Sequence, residues 1–359
     1  MAETLERSLF MRKESSMYLI GVLLLLLTAS SAHAQNPDLI ALANKFFKPL
    51  PDVIPAPPDN PTTPEKVALG KMLYYETRLS KGDEVSCSTC HNLSTGGVDN
   101  LPTSFGHLAQ RGGRNAPTVL NAGLQIAQFW DGRAPSLEEQ AKGPILNPVE
   151  MAMPSRDLAI QRLYYIPEYK DRFKKAFPED KEPIIYDNIA RAIASFERTL
   201  LTPSRFDKFL KGDAAALTAN EKKGLELVIK TGCVTCHNGV GAGGGMYQKF
   251  GIYGHYEGSD DPGRFNVTHD EKDKFVFKVP MWRNVTRTAP YFNNGSVWDL
   301  KEAIRIMAKI QLNKELTNDE VDRIADFLHS LEGNPPQAAM TLPVLPASTP
   351  STPPPDFTK

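Results

Sequence analysis

Apolar residues recur at three- and four-residue intervals through most of this chain, the period of helices that bury one face. Thr63-Pro64-Glu65 reads as a helix start, with Thr63 as N-cap and proline at the first helical position, where an N–H would have no partner anyway. Thr218-Ala-Asn-Glu221 is a capping box followed by Leu225, Leu227 and Val228. A second box, Thr317-Asn-Asp-Glu320, opens a stripe of Val321, Ile324, Ala325, Leu328 and Leu331. Residues 184–201 predict a further amphipathic helix, broken by Thr202-Pro203-Ser204. Residues 297–312 predict another, with Leu300, Ala303, Ile304, Met307 and Ile310 in register. Strand signals are few, so the fold is expected to be mainly α.

Two proline-rich stretches, Pro49–Pro64 and Pro335–Pro355, bracket this helical body, and neither can hold a regular helix. The pattern predicts domains over residues 35–201 and 202–334 and a disordered tail over 335–359. At the other end, a short apolar run from Tyr18 to Ala29 follows Arg12 and Lys13 and exits through Ala32-His33-Ala34. It falls short of the roughly 20 apolar residues of a transmembrane helix. Residues 1–34 therefore read as a cleaved signal peptide rather than a retained anchor, with no membrane span after cleavage and a periplasmic address. The formal net charge is −1 with acids and bases intermixed, which argues against nucleic acid as a partner.

All four cysteines fall in two copies of one signature, Cys87-Ser-Thr-Cys90-His91 and Cys233-Val-Thr-Cys236-His237. Two thiols three residues apart can each add to a vinyl group of one porphyrin, and the histidine that follows can reach its iron. A zinc knuckle or a dithiol redox site needs no histidine directly after both pairs. The expectation is two covalently bound haem c groups, each wrapped by one cytochrome c-like domain with a helix before the signature and another closing the unit. The glycine cluster Gly239–Gly245 lacks the Lys-Ser/Thr ending of a phosphate loop and reads as a flexible turn beside the second haem.

With the porphyrin filling four positions and His91 or His237 a fifth, function depends on the sixth ligand. A methionine thioether raises the potential, and a second imidazole gives a lower one. His107 stands out because it lies in a turn-prone loop, Pro102-Thr-Ser-Phe-Gly106-His107, sixteen residues after His91. His329 reads as a surface or packing residue, and His255 and His269 receive no role. Met307 sits at helical spacing that would suit an ordinary core residue, yet it precedes the terminal helix, where cytochrome c domains commonly present their methionine; Met281 is its rival.

The chain resembles the bacterial di-haem cytochrome c peroxidases, which include the MauG-like oxidases. The matching segments are Cys87–Asn92, Leu101–His107, Arg114–Thr118, Phe129–Arg133, Gln140, Asn147–Met151, the second signature, Lys278–Pro280, Arg283–Val285 and Thr288–Phe292. The resemblance implies that the N-terminal haem is peroxidatic, with His91 proximal and His107 a removable distal ligand. It implies that the C-terminal haem, held by His237 and Met307, receives electrons. Glu150 matches the acid–base residue, Gln140 its pocket partner, Trp130 the tryptophan between the haems, and Asn115, Thr288 and Pro290 a calcium site. A carboxylate suits the proton role if burial raises its pKa, whereas pattern alone makes Glu150 a helix-start acid and Trp130 a core aromatic. One departure is Asn293, where many relatives have histidine.

The leading expectation is a peroxidase reducing hydrogen peroxide with electrons from a small cytochrome c or a cupredoxin; relatives are commonly homodimers. The alternatives are a MauG-like oxidase of a protein substrate, in which tyrosine would replace Met307, and a di-haem electron carrier, which needs no proton-transfer groups.

Overall fold

The computed structural model describes residues 36–358. The expected signal peptide lies outside these residues. Among the described residues no helix is long and apolar enough to cross a membrane. Thirteen α-helical segments are described: α1 Asn36–Phe46, α2 Pro64–Tyr74, α3 Cys87–Cys90, α4 Leu137–Leu146, α5 Arg156–Tyr164, α6 Pro167–Ala176, α7 Tyr186–Glu197, α8 Arg205–Leu210, α9 Ala219–Thr231, α10 Phe265–Thr268, α11 Leu300–Leu312, α12 Asn318–His329 and α13 Gln337–Met340. The only named strands among the described residues are β1, Tyr247–Lys249, and β2, Val276–Lys278, paired antiparallel with Tyr247 opposite Lys278.

The helix starts read from the sequence are present. Thr63 accepts from the Lys66 amide at α2. Thr218 and Glu221 cap α9 reciprocally, at 2.7 and 3.3 Å, and Thr317 and Glu320 cap α12 at 2.9 and 3.3 Å. The break after residue 201 is itself a cap, because Ser204 and Asp207 start α8 there. Asp207 is further held by a buried two-point pair to Arg283, at 2.8 and 2.9 Å, and by the Leu50 amide at 2.7 Å.

In each half, the helix ahead of the Cys-His signature crosses a later helix through a glycine. On α2, a Cβ at Gly70 would strike the Ala192 carbonyl of α7, and on α9 a Cβ at Gly224 would strike the Arg323 carbonyl of α12. Alanine normally favours a helix by about 1 kcal/mol over glycine. Here the missing side chain allows the backbones to touch, so Gly224→Ala should lower stability by about 1–3 kcal/mol through overpacking. Thermal unfolding of the haem-loaded protein checks this, and an unchanged or raised Tm would contradict it.

One apolar cluster draws on residues 69–193 and another mainly on residues 206–331, and the chain ends pack across from one half to the other. Leu39, Ala43 and Phe47, on and just after α1, pack with Phe206, Phe209, Val228 and Phe327 of the C-terminal half. Ala339 of α13 packs with Tyr74, Leu93 and Phe196 of the N-terminal half. The segment expected to be disordered is likewise laid across the N-terminal half. Arg78 reaches the Ser348 hydroxyl at 3.1 Å, Arg162 donates to the Pro354 carbonyl at 2.8 Å, and the Asp356 amide donates to the Lys81 carbonyl at 2.9 Å. Contrary to expectation the segment does hold one helical turn, α13, in the proline-free run Gln337–Met340; beyond it proline prevents a helix, but the carbonyls still accept, and buried Arg162 supplies donors that need partners.

Candidate functional site

Each signature forms a single tight turn. In both copies the histidine amide donates to the carbonyl of the first cysteine, at 2.9 Å for His91 and 3.0 Å for His237. The thiols and imidazole thus fall at i, i+3 and i+4, on one face of a helical turn. Gly232, at φ 94°, ends α9 and turns the chain into Cys233. Burial pushes all four thiols up, Cys90 to about 11, the opposite of the lowered values that mark redox or thiolate metal sites. Burial lowers both histidines, His237 to about 4, which keeps the imidazoles neutral and able to ligate.

A cavity of about 260 Å³ opens against Cys233, Cys236 and His237, lined mainly by apolar side chains, with Met281, Trp282, Ile304 and Met307 among them. Trp282 stacks on His237, ring centres 4.4 Å apart and planes 13° from parallel, and so fixes the imidazole. Sequence reasoning missed Trp282, since a tryptophan 45 residues beyond the signature's histidine carries no local signal. The glycine cluster is no slack turn. A Cβ at Gly241 would press on the Met281 sulfur, and Gly243, at φ 129°, lies against the Pro280 carbonyl. Both methionines line the cavity, Met281 packed against Gly241 and Met307 on α11.

Asn115, Thr288, Pro290 and Trp130 line the same cavity where the two halves meet. The Trp130 indole donates to the Asn115 carbonyl at 2.9 Å, and its own carbonyl accepts from the Lys278 amide at 2.8 Å. Asn115 donates its side-chain N–H to the Leu101 carbonyl at 2.9 Å. Lys278 also lines the cavity, with burial lowering its pKa to about 8 and Gln125 as its hydrogen-bond partner. Asn293 is buried and donates to Asp261 at 2.9 Å, while its side-chain oxygen has no partner.

On the N-terminal side, Glu150 sits just after α4, and burial raises its pKa against the opposing pull of Arg133 and Asn147. Asn147, the C-cap of α4, donates to Glu150 at 2.7 Å. Gln140 lies half-buried on α4, seven residues before Asn147 and so on the same face of the helix. The His107 amide donates to the Glu150 carbonyl at 2.7 Å, an approach that only Gly106 permits, since a Cβ there would meet the Val149 and Glu150 carbonyls. The His107 ring is 2 % exposed, with Nδ1 2.6 Å from Glu84 and Nε2 3.2 Å from the Thr358 carbonyl. Glu84 was also missed, for it carries no motif. His329 is exposed and pairs with Glu332 at 2.6 Å.

Residues 64–215 match the family model for di-haem cytochrome c peroxidase. The cytochrome c551 peroxidase of Pseudomonas aeruginosa is 48% identical over 334 residues, covering 92% of this chain and 96% of that protein. The chain belongs to the di-haem cytochrome c peroxidase family. The cytochrome c551 peroxidase of Nitrosomonas europaea is 49% identical, across 83% of this chain and 90% of that protein. Among solved structures, a MauG-like protein associated with microbial copper homeostasis superposes with a TM-score of 0.72 at 28% identity, covering 82% of this chain and 98% of that one. The chain is an oxidoreductase of the cytochrome c peroxidase class, and family membership brings covalently bound haem c. The site fits that group: paired un-ionised thiols and a neutral imidazole on one face of a turn, opening on an apolar cavity.

Proposed function

We propose that this is a periplasmic peroxidase of two haem-wrapping units, residues 35–201 and 202–334, that reduces hydrogen peroxide to water with electrons from a small c-type cytochrome or cupredoxin. Bound at the two signatures, haem supplies an iron that takes peroxide on the N-terminal side and an electron relay on the C-terminal side. One observation carries the reading: a buried carboxyl, Glu150, with a raised pKa and an Asn147 hydrogen bond, held against the His107 loop. A simple electron carrier has no use for such a group.

Reduction of peroxide consumes two electrons and two protons and yields two waters. Glu150 moves a proton from the inner to the outer peroxide oxygen, with Gln140 orienting the substrate from α4. His107 would hold the N-terminal iron's remaining position at rest and release it on activation, and in the present conformation both of its ring nitrogens are engaged by protein groups. Met307 would hold the other iron through its thioether, which favours the reduced state. Trp130 joins the halves through Asn115 and Lys278 and lies on the electron route. Asn115, Thr288 and Pro290 would hold calcium through an amide oxygen and backbone carbonyls with water, a hard-oxygen set suited to that ion.

The test is stopped-flow oxidation of a reduced small cytochrome by the half-reduced, calcium-loaded protein on addition of peroxide. Turnover at the 1–10³ s⁻¹ typical of enzymes, roughly, is the expected result. No oxidation above the protein-free rate would end the reading.

A further inference from the structure

We propose that Glu84 and the tail segment 354–358 form a berth that captures the His107 side chain once it has left the iron. Glu84 thus acts as a positioning residue for the open form of the site. The inference rests on the reading of His107 as a removable ligand.

A histidine must offer a metal one ring nitrogen with a free lone pair. Here neither is free: the Thr358 carbonyl can only accept, so Nε2 donates to it at 3.2 Å, and Nδ1 lies 2.6 Å from the Glu84 carboxylate. The berth also grips the loop backbone, because the same Glu84 oxygen accepts from the Leu108 amide at 3.0 Å. That grip matters, since Leu108 and Ala109 stand at φ 53° and 58°, left-handed conformations that side-chain-bearing residues avoid unless their surroundings hold them.

The tail half is built from several independent ties. Lys81 donates to the Thr358 carbonyl at 2.7 Å, and its own carbonyl accepts from the Asp356 amide at 2.9 Å. The Lys81 amide in turn donates to the Met151 carbonyl at 2.8 Å, so the strap is anchored one residue from Glu150. Phe357 covers Gly82, and Arg162 fixes the Pro354 carbonyl at 2.8 Å. The berth, the loop and the proton-transfer carboxylate therefore form one connected body. A tail lifted from Lys81 releases Nε2, and His107 returns to compete for the iron.

The experiment compares full-length holoprotein with Glu84→Leu, Glu84→Gln, a truncation after Pro353, and His107→Gly, each fully oxidised and half-reduced. EPR and visible spectra report the ratio of open to six-coordinate N-terminal haem. Glu84→Leu and the truncation should each lower that ratio at least tenfold, while Glu84→Gln, whose amide oxygen still accepts from Leu108, recovers part of it. Hydrogen exchange at the Leu108 amide should also quicken at least tenfold in Glu84→Leu. His107→Gly should be open in every redox state. If His107→Gly is open but the other variants keep the wild-type ratio and exchange rate, the berth is wrong and the ligand reading stands. Should His107→Gly match wild type in all states, both are wrong.

Discussion

Glu150→Gln should lower kcat/KM for peroxide by about 10²- to 10⁴-fold, the usual worth of a positioned proton-transfer group. The substitution keeps the size of the side chain and its contact with Asn147, so haem content and both visible spectra should be unchanged. The pH profile makes the prediction sharper. Glu150 accepts a proton only when ionised, and burial raises its pKa. Activity should therefore be present above, and lost as pH falls through, a limb placed higher than the ordinary glutamate value of about 4.3. The glutamine variant should lack that limb. Retention of more than a tenth of the activity, with the limb intact, would assign the proton step to another group.

Met307→His should lower the potential of the C-terminal haem by on the order of a few hundred millivolts, within the roughly 0.8 V range that axial ligands command. A thioether favours ferrous iron, and an imidazole does not. Because about 59 mV is a factor of ten for one electron, a mild donor that reduces the parent protein would scarcely reduce the variant, and turnover with that donor should fall at least a hundredfold. Potentiometric titration followed in the visible region measures the shift. Met281→Leu is the matched control: its sulfur packs on Gly241, so the potential should stay close to that of the parent. The opposite ranking would identify Met281 as the ligand.

The two substitutions probe the two halves of the proposed design, in which Met307 would close one iron with sulfur for electron transfer and His107 would cap the other with an imidazole that can be set aside. They also separate the enzyme from the alternatives. A pure electron carrier would respond to Met307→His but not to Glu150→Gln, since it has no proton to move.

Much of this was legible along the chain. The capping boxes at Thr218 and Thr317 and the N-cap at Thr63 are local hydrogen-bonding arrangements, complete within four residues, so they survive whatever the helices pack against. The two Cys-His signatures are equally local, because i, i+3 and i+4 share a face of any helical turn. Glu150 could be picked out only through resemblance, whereas a turn-prone loop after the first signature drew attention to His107 and its place before the terminal helix to Met307. Nothing in the four residues Asn147-Pro-Val-Glu150 distinguishes a buried acid from one that starts a helix.

Contacts between residues far apart in the chain carried no such signal. Glu84 and His107 are separated by 23 positions, and His107 and Thr358 by 251, so no periodicity or motif joins them. The tail was expected to be disordered because proline forbids a helix, but whether an extended segment stays in solvent depends on the donors it meets, here Arg162 and Lys81. The same holds for α1, whose apolar face could have covered either half and lies on the C-terminal one. By itself, then, the sequence determined where the helices begin and where two haems attach, since those are set by neighbours within a turn. Tertiary structure alone decided which chain end covers which half, how Met281 and Met307 are seated in one cavity wall, and what the His107 ring meets, because each depends on surfaces assembled from distant segments.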